Sequence, residues 1–369
     1  MANHREAVIF IHGFYLGRDR NFFIDSLSTG FTEVLAIPKV QEVGEEKIAG
    51  YTGKKFKVYV DVDNIKEVDI YDAYWNDLNS KQLSSSELKN QVFRGISILF
   101  YWIVSKDLVA LKDSPPLLIG LGIGLLLWIY WFYGIVALAF VALGGYEVNL
   151  YGLPMSQDWV THIKEGLKQI SELGKNMTNW FVWLGITALS STLPINMIAD
   201  VADFSTRYLE DNSEGKSLKT KIRKRVTETL NAVLETGLYD KITVLAHSFG
   251  AVIATNVLAN YQQEHRVRYI IAGGSLKMFS SKSKQIEQDI KKCFNNDKIG
   301  MWLDFYSNQD WLCTKTPVAE GCDYTKINHR KLKFTLPLSK QINGQSHDNY
   351  FINEEVLKAV LNLQSAESI

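Results

Sequence analysis

Residues 117–143 form an apolar run of about 27 residues without a charged side chain. A helix needs about 20 such residues to span the hydrocarbon core of a bilayer, and this run exceeds that length. The alternative is a buried central helix of a water-soluble protein, but a helix of this length in such a protein nearly always has a polar face. The run therefore predicts a membrane-inserted helix, with membrane lipids as partners of the chain.

Two flanking segments are candidates for a second membrane segment. Residues 93–111 contain a lysine and an aspartate that are costly inside a bilayer, whereas residues 179–198 are uncharged but contain a proline. We expect one of them to form a hairpin with 117–143, and the sequence leaves the choice open. Residues 91–199 as a whole are predicted to form a membrane-inserted helical block.

Within this block, residues 156–174 have the pattern of an amphipathic helix. Their apolar residues recur with helical spacing on one face, and lysines and glutamates occupy the opposite face. Such a helix lies at a membrane interface or packs against the rest of the protein. The sequence favours neither arrangement.

Charge and cysteine content exclude several classes of function. The 369 residues include 40 basic and 40 acidic side chains, so the basic excess that favours nucleic acid as a partner is missing. The three cysteines fit no zinc-site spacing, and no glycine loop of the phosphate-binding type is present, so we predict no metal and no cofactor. Unpaired cysteines and the lack of a secretion signal favour a cytoplasmic location for the part outside the membrane. The oligomeric state is left open.

Outside the block, strand-like and helix-like stretches alternate as in a parallel sheet. Strands are predicted at 7–11, 58–62, 68–74, 242–246, 268–275, 301–307 and, as a possible last strand, 331–338. Helices are predicted over 219–237 and 252–260. The pattern predicts an α/β fold, with a mainly parallel sheet flanked by helices, formed by residues 1–90 and 200–369 and interrupted by the membrane-inserted block.

The stretch AHSFG, residues 246–250, joins a predicted strand to a predicted helix. A strand-turn-helix of this kind presents a serine at a sharp turn, where a neighbouring base can activate its hydroxyl as a nucleophile. Ala246 stands where such turns usually have their first glycine, and His247 and Gly250 complete the pattern around Ser248. The alternative is that Ser248 caps the helix.

A second turn follows the first predicted strand. His12 and Gly13 end the apolar stretch VIFIHGF, and such a turn can offer the backbone N–H of Phe14 to an oxyanion. The N–H of Phe249, directly after the serine, is the second candidate donor.

An acid and a base complete the candidate constellation. Asp310 follows a late strand and is our candidate to orient an imidazole, with Asp304 as a rival inside that strand. His347 lies in a polar, glycine-containing loop after the last predicted strand and is the candidate base. His329 is its rival and precedes that strand. The favoured order along the chain is Ser248, Asp310, His347.

This order of serine, acid and histidine resembles the α/β-hydrolase family. The resemblance covers residues 5–75 and 200–360. The chain looks particularly like bacterial membrane-associated α/β-hydrolases in the stretches VDIYDAYWNDL, residues 68–78, and IADVADFSTRY, residues 198–208.

The resemblance implies a membrane-bound serine hydrolase, similar to lipases and esterases. Such an enzyme cleaves carboxylic esters, here of lipids, through a Ser-His-Asp triad and an acyl-enzyme. The implied location is a bacterial inner membrane, with the hydrolase domain in the cytoplasm. Two alternatives are a thioesterase that acts on lipidated protein and a catalytically silent, membrane-tethered scaffold.

Overall fold

A computed structural model gives the architecture of most of the chain. It describes residues 4–15, 22–61, 64–79, 115–145, 156–177, 195–210, 217–310, 312–313 and 315–363. The predicted membrane segment 93–111 lies outside these residues, and so does the first part of the segment 179–198.

Eight strands form one sheet in the order β2-β3-β4-β1-β5-β6-β7-β8. The strands are β1 Arg5–Ile11, β2 Lys39–Ile48, β3 Tyr51–Tyr59, β4 Ile65–Asp72, β5 Lys241–His247, β6 Val267–Ala272, β7 Ile299–Tyr306 and β8 Ile327–Lys331. From β4 to β8 every neighbouring pair is parallel, whereas β2 and β3 extend the sheet as antiparallel strands. The predicted α/β class with a mainly parallel sheet is therefore confirmed.

Helices flank this sheet and fill the connections. They are α1 Phe22–Thr29, α2 Pro115–Gly145, α3 Gln157–Met177, α4 Ile195–Glu210, α5 Leu218–Glu235, α6 Gly250–Leu258, α7 Leu276–Ser280, α8 Lys284–Asn295, α9 Leu338–Ile342 and α10 Glu354–Val360. A π-helical turn, Gly30–Val34, continues α1, and 3₁₀ turns lie at Asn76–Leu78, Tyr324–Lys326 and Gln345–Ile352.

Strand β1 lies between β4 and β5 at the centre of the sheet. Its residues after Arg5 are buried, and β5 is buried after its first residue, as is typical of strands covered on both faces. Ile11 pairs with Ala246, so β1 and β5 end at the same edge of the sheet. The turns that follow them, which contain Gly13 and Ser248, are therefore neighbours.

Three strands differ from the sequence-based prediction. Strand β3 covers Tyr51–Tyr59, so the predicted strand 58–62 overlaps it at two residues only. The last strand is β8, and the predicted strand 331–338 overlaps it at one residue only, because the pairing with β7 uses the polar stretch INHRK. Strand β2 was not predicted, since half of the residues in its sequence KVQEVGEEKI are charged and most are exposed. Charged side chains are common on edge strands, where they hinder pairing with another chain.

Helix α2 contains the apolar run and is about 46 Å long. It packs against α3, where a Cβ added to Gly174 would come within 2.7 Å of the Phe140 Cβ and Ala137 is fully buried. The amphipathic helix predicted at 156–174 is therefore present, and it is a neighbour of α2.

Among the residues that the structure describes, no helix is both long enough and apolar enough to cross a membrane. Membrane insertion of 117–143, and its pairing with 93–111 or 179–198, stay predictions.

Candidate active site

Ser248 occupies a strained turn between β5 and α6. Its φ is 57°, in the left-handed region that residues other than glycine rarely adopt and that costs about 1–2 kcal/mol. The Ser248 N–H donates to the Gly273 carbonyl at 3.1 Å, and the Ser248 carbonyl accepts from Ala251 at 3.1 Å. Backbone strain of this kind clusters at functional sites, where the surrounding structure holds it in place.

Two glycines allow the turn to pack against the end of β1. A Cβ added to Gly13 would lie 2.5 Å from the Ser248 Cβ and 3.0 Å from its Oγ. A Cβ added to Gly250 would lie 2.1 Å from the Ile11 carbonyl oxygen. Ala246, the departure from the usual glycine, lies fully buried in regular β5 structure opposite Ile11. At this turn the close approaches are thus made by Gly13 and Gly250.

His347 and Asp310 form a buried pair. Nδ1 of His347 lies 2.7 Å from Oδ2 of Asp310, and the other Asp310 oxygen accepts the Leu312 N–H at 3.0 Å. Both side chains are almost completely buried. Because a carboxylate can only accept, Nδ1 carries the proton, and in the neutral ring Nε2 is then the basic nitrogen.

His247 connects this pair to the serine turn. Its Nε2 lies 2.9 Å from the backbone carbonyl of His347, and the two imidazole rings are 4.6 Å apart. Since His247 immediately precedes Ser248, this contact brings the 3₁₀ turn that carries His347 beside the serine. The favoured pair of His347 and Asp310 therefore lies beside the turn that carries Ser248.

The two rival residues form a different pair. Nδ1 of His329 lies 2.8 Å from Oδ2 of Asp304, which also accepts the Thr316 N–H at 2.8 Å. Asp304 and His329 are register partners inside β7 and β8. Through β6, Asp304 is level with Ala246, below the edge at which the strands end.

The backbones of Phe14 and Phe249 flank the serine from the two turns. Phe14 follows Gly13, which touches Ser248, and Phe249 follows Ser248 itself. Within the described part of the chain, neither backbone N–H donates a hydrogen bond to another group. Both side chains are buried. The amides thus retain the donor capacity that an oxyanion requires.

His12 is a buried, neutral support of the Gly13 turn. Its ring is stacked between Phe23 at 5.3 Å and Trp75 at 5.0 Å, both nearly parallel to it. Burial lowers the pKa of His12 to about 4. Its Nδ1 lies 2.7 Å from the Gly13 carbonyl oxygen, and Trp75 Nε1 donates to the His12 carbonyl at 3.1 Å. These bonds hold the turn that contacts the serine.

One contact at the site had no signal in the sequence. The Tyr15 hydroxyl donates to Asp348 at 3.0 Å and joins the Gly13 turn to the residue after His347. The two residues are 333 positions apart, so no local pattern relates them.

Among the described residues no group of histidine, cysteine, aspartate or glutamate side chains could hold a metal ion. In comparisons with known proteins, the chain matches no family model, no curated protein and no solved structure.

Proposed function

We propose that this protein is a serine hydrolase of the α/β-hydrolase type that cleaves carboxylic esters. The observation that carries the proposal is the left-handed Ser248 at the tight turn between β5 and α6. His247, the residue before it, contacts His347, whose Nδ1 is held 2.7 Å from Asp310. A helix-capping serine would require neither the strain nor the His–Asp pair. In addition, the N-cap residue of α6 is Phe249 and not Ser248.

In the proposed reaction, Oγ of Ser248 attacks the ester carbonyl carbon while Nε2 of His347 takes the hydroxyl proton. The carbonyl oxygen becomes an oxyanion and accepts hydrogen bonds from the Phe14 and Phe249 amides. Collapse breaks the ester C–O bond, and the imidazolium returns its proton to the leaving alcohol. Water then attacks the acyl-enzyme by the same route and releases the carboxylic acid and the free serine. Asp310 stabilises the imidazolium throughout.

We propose a lipid ester as substrate and a membrane location, because the chain carries a large exposed apolar surface. The exposed large apolar side chains of α2 are Leu118, Ile119, Leu125, Leu126, Trp128, Ile129, Phe132, Ile135, Leu138 and Leu143. An apolar surface of this extent is typical of membrane or partner interaction sites. A membrane-inserted block would bring the serine close to substrates that diffuse in the bilayer.

The sheet topology constrains how such a block can insert. Because β4 and β5 both pair with β1, the chain leaves and re-enters the same sheet on either side of the block. Any complete crossings between residues 79 and 217 must therefore be even in number. A hairpin satisfies this condition, and so does a segment that enters the bilayer without crossing it.

Labelling with a fluorophosphonate tests the proposed function. We expect the wild type and the control Ser280→Ala, which changes a serine on α7, to be labelled in isolated membranes, and Ser248→Ala to remain unlabelled. Labelling that persists in Ser248→Ala, or a wild type without labelling or ester hydrolysis, would refute the proposal. A preference for S-acyl peptides over oxyesters of the same chain length would identify a thioesterase instead.

Extraction of the same membranes with alkaline carbonate tests the location. We expect the protein to stay in the membrane pellet. Release of the whole protein into the supernatant would argue against an inserted block while leaving the hydrolase proposal intact.

A further inference from the structure

Phe204, on helix α4, contacts both residues that supply the proposed oxyanion donors. Its ring is stacked on Phe14 at 4.6 Å with an interplanar angle of 15°, and it meets the edge of Phe249 at 4.9 Å and 78°. The Phe204 side chain is fully buried. The Phe204 ring thus contacts both the residue after Gly13 and the residue after Ser248.

The same ring is held from behind by a second layer of aromatic side chains. Trp75 packs on Phe204 at 5.1 Å and also stacks on His12, which precedes the Gly13 turn. Tyr208, one helical turn further along α4, packs on Phe249 at 5.1 Å. Because cores are close-packed, Phe204 has little freedom to move relative to either turn.

We infer that Phe204 is a positioning residue that fixes the spacing of the Phe14 and Phe249 amides. The inference rests on the proposed function, because the spacing of the two amides matters for catalysis only if an oxyanion forms between them. Oxyanion donors act through preorganisation, since their N–H groups must point at the developing charge before it forms. Each amide belongs to a residue whose ring abuts Phe204, so the distance between the two amides depends on that ring.

Replacement of Phe204 by leucine tests this inference. Leucine keeps an apolar side chain at the position but removes both ring contacts. We expect kcat for a p-nitrophenyl ester to fall about 10- to 100-fold with KM changed less than about threefold, because the oxyanion exists only beyond the ground state. Phe204→Met, a larger and more adaptable side chain, is expected to recover part of kcat.

The matched control is Phe56→Leu. Phe56 is also fully buried, but it packs on Phe31, at 5.5 Å, in the core cluster on the other side of the sheet. We expect Phe56→Leu to lower the stability of the protein while kcat of the folded fraction stays within about twofold of the wild type.

A comparison of ester and thionoester substrates separates positioning from general damage. Sulfur in place of the carbonyl oxygen accepts hydrogen bonds poorly, so the ratio of kcat/KM for the oxygen and sulfur substrates reports on the oxyanion donors. We expect Phe204→Leu to lower this ratio and Phe56→Leu to leave it unchanged.

Each outcome has a distinct meaning. Suppose that the wild type hydrolyses esters. If Phe204→Leu then keeps the wild-type kcat, or if its kcat/KM falls equally for the ester and the thionoester, the positioning role is wrong while the hydrolase proposal stands. If the wild type neither hydrolyses esters nor reacts with a fluorophosphonate, the proposed function fails and the inference fails with it.

Discussion

Nδ1 of His329 lies 2.8 Å from Oδ2 of Asp304, almost the distance that separates His347 from Asp310. The chain therefore contains two histidine–aspartate pairs of similar geometry. One lies inside β7 and β8, and the other follows the ends of the strands beside the Ser248 turn. The distance within each pair does not distinguish them. Their positions relative to Ser248 do, since only the pair of His347 and Asp310 lies beside the serine turn.

The duplicated pair provides an internal control for the catalytic assignment. His347→Gln removes the proposed base, so kcat for a p-nitrophenyl ester should fall about 1,000-fold. His329→Gln disrupts a pair of nearly the same geometry and should leave kcat within about threefold of the wild type. Steady-state assays of both purified variants decide the matter, and equal losses in the two would contradict the assignment.

The strained serine should show an inverted preference between glycine and alanine. At most positions glycine is less stable than alanine, because it loses more backbone entropy on folding. At a φ of 57° alanine retains the strain and glycine does not. We expect the free energy of unfolding of Ser248→Gly to exceed that of Ser248→Ala by about 1 kcal/mol, measured by urea unfolding. Both variants should be inactive. A more stable alanine variant would show that the turn is not strained.

Gly13 should tolerate no side chain. In Gly13→Ala the new Cβ would meet the Ser248 Cβ at 2.5 Å and the His247 carbonyl oxygen at 3.2 Å, so the serine turn must shift. A displacement of about 1 Å costs on the order of 100-fold in rate, which we expect as the loss in kcat/KM. At Gly300, in β7, a Cβ has no neighbour closer than 3.9 Å. Gly300→Ala should retain activity, and comparable activity in the Gly13 variant would contradict the close packing.

Acid should destabilise the protein partly through His12. Burial lowers the pKa of His12 to about 4, whereas the pKa of a histidine in an unfolded chain is about 6.5. Between these two pH values the unfolded chain binds a proton at His12 and the folded protein does not. The stabilising contribution is complete above pH 6.5 and is lost as the pH falls toward 4. Between pH 7 and pH 5 the loss should be about 2 kcal/mol.

His12→Phe isolates this contribution. Phenylalanine retains a ring between Phe23 and Trp75 but cannot titrate. Urea unfolding at pH 7 and pH 5 should show a smaller drop in the free energy of unfolding for the variant than for the wild type. The same drop in both proteins would mean that other groups account for the acid sensitivity.

Local features of the site could be predicted from the sequence. The Ser248 turn is contiguous in the chain, with a buried strand before it and a helix after it, and the Gly13 turn likewise follows an apolar strand. The order of Ser248, Asp310 and His347 favoured one acid and one histidine over their rivals. The structure pairs His347 with Asp310 and joins His347 to the residue before Ser248, and the catalytic roles of the three residues stay predictions.

Contacts between distant segments could not be predicted in this way. Phe204 reaches Phe14 and Phe249 from helix α4, which was not predicted, and no periodicity relates residues so far apart. Strand β2 was missed for a different reason. It is an edge strand, and its charged residues reflect exposure to solvent and hide the propensity for strand pairing.

The last described residue before α2 is hydrogen-bonded to α4, the helix that follows α3. Arg207, on α4, donates to the side chain of Asn79 at 2.8 Å, so the chain returns to the place from which it departed. An insertion whose two ends lie close together can be exchanged with little effect on the domain that carries it. Such an insertion can be lengthened, replaced or deleted while each of the eight strands keeps its neighbours.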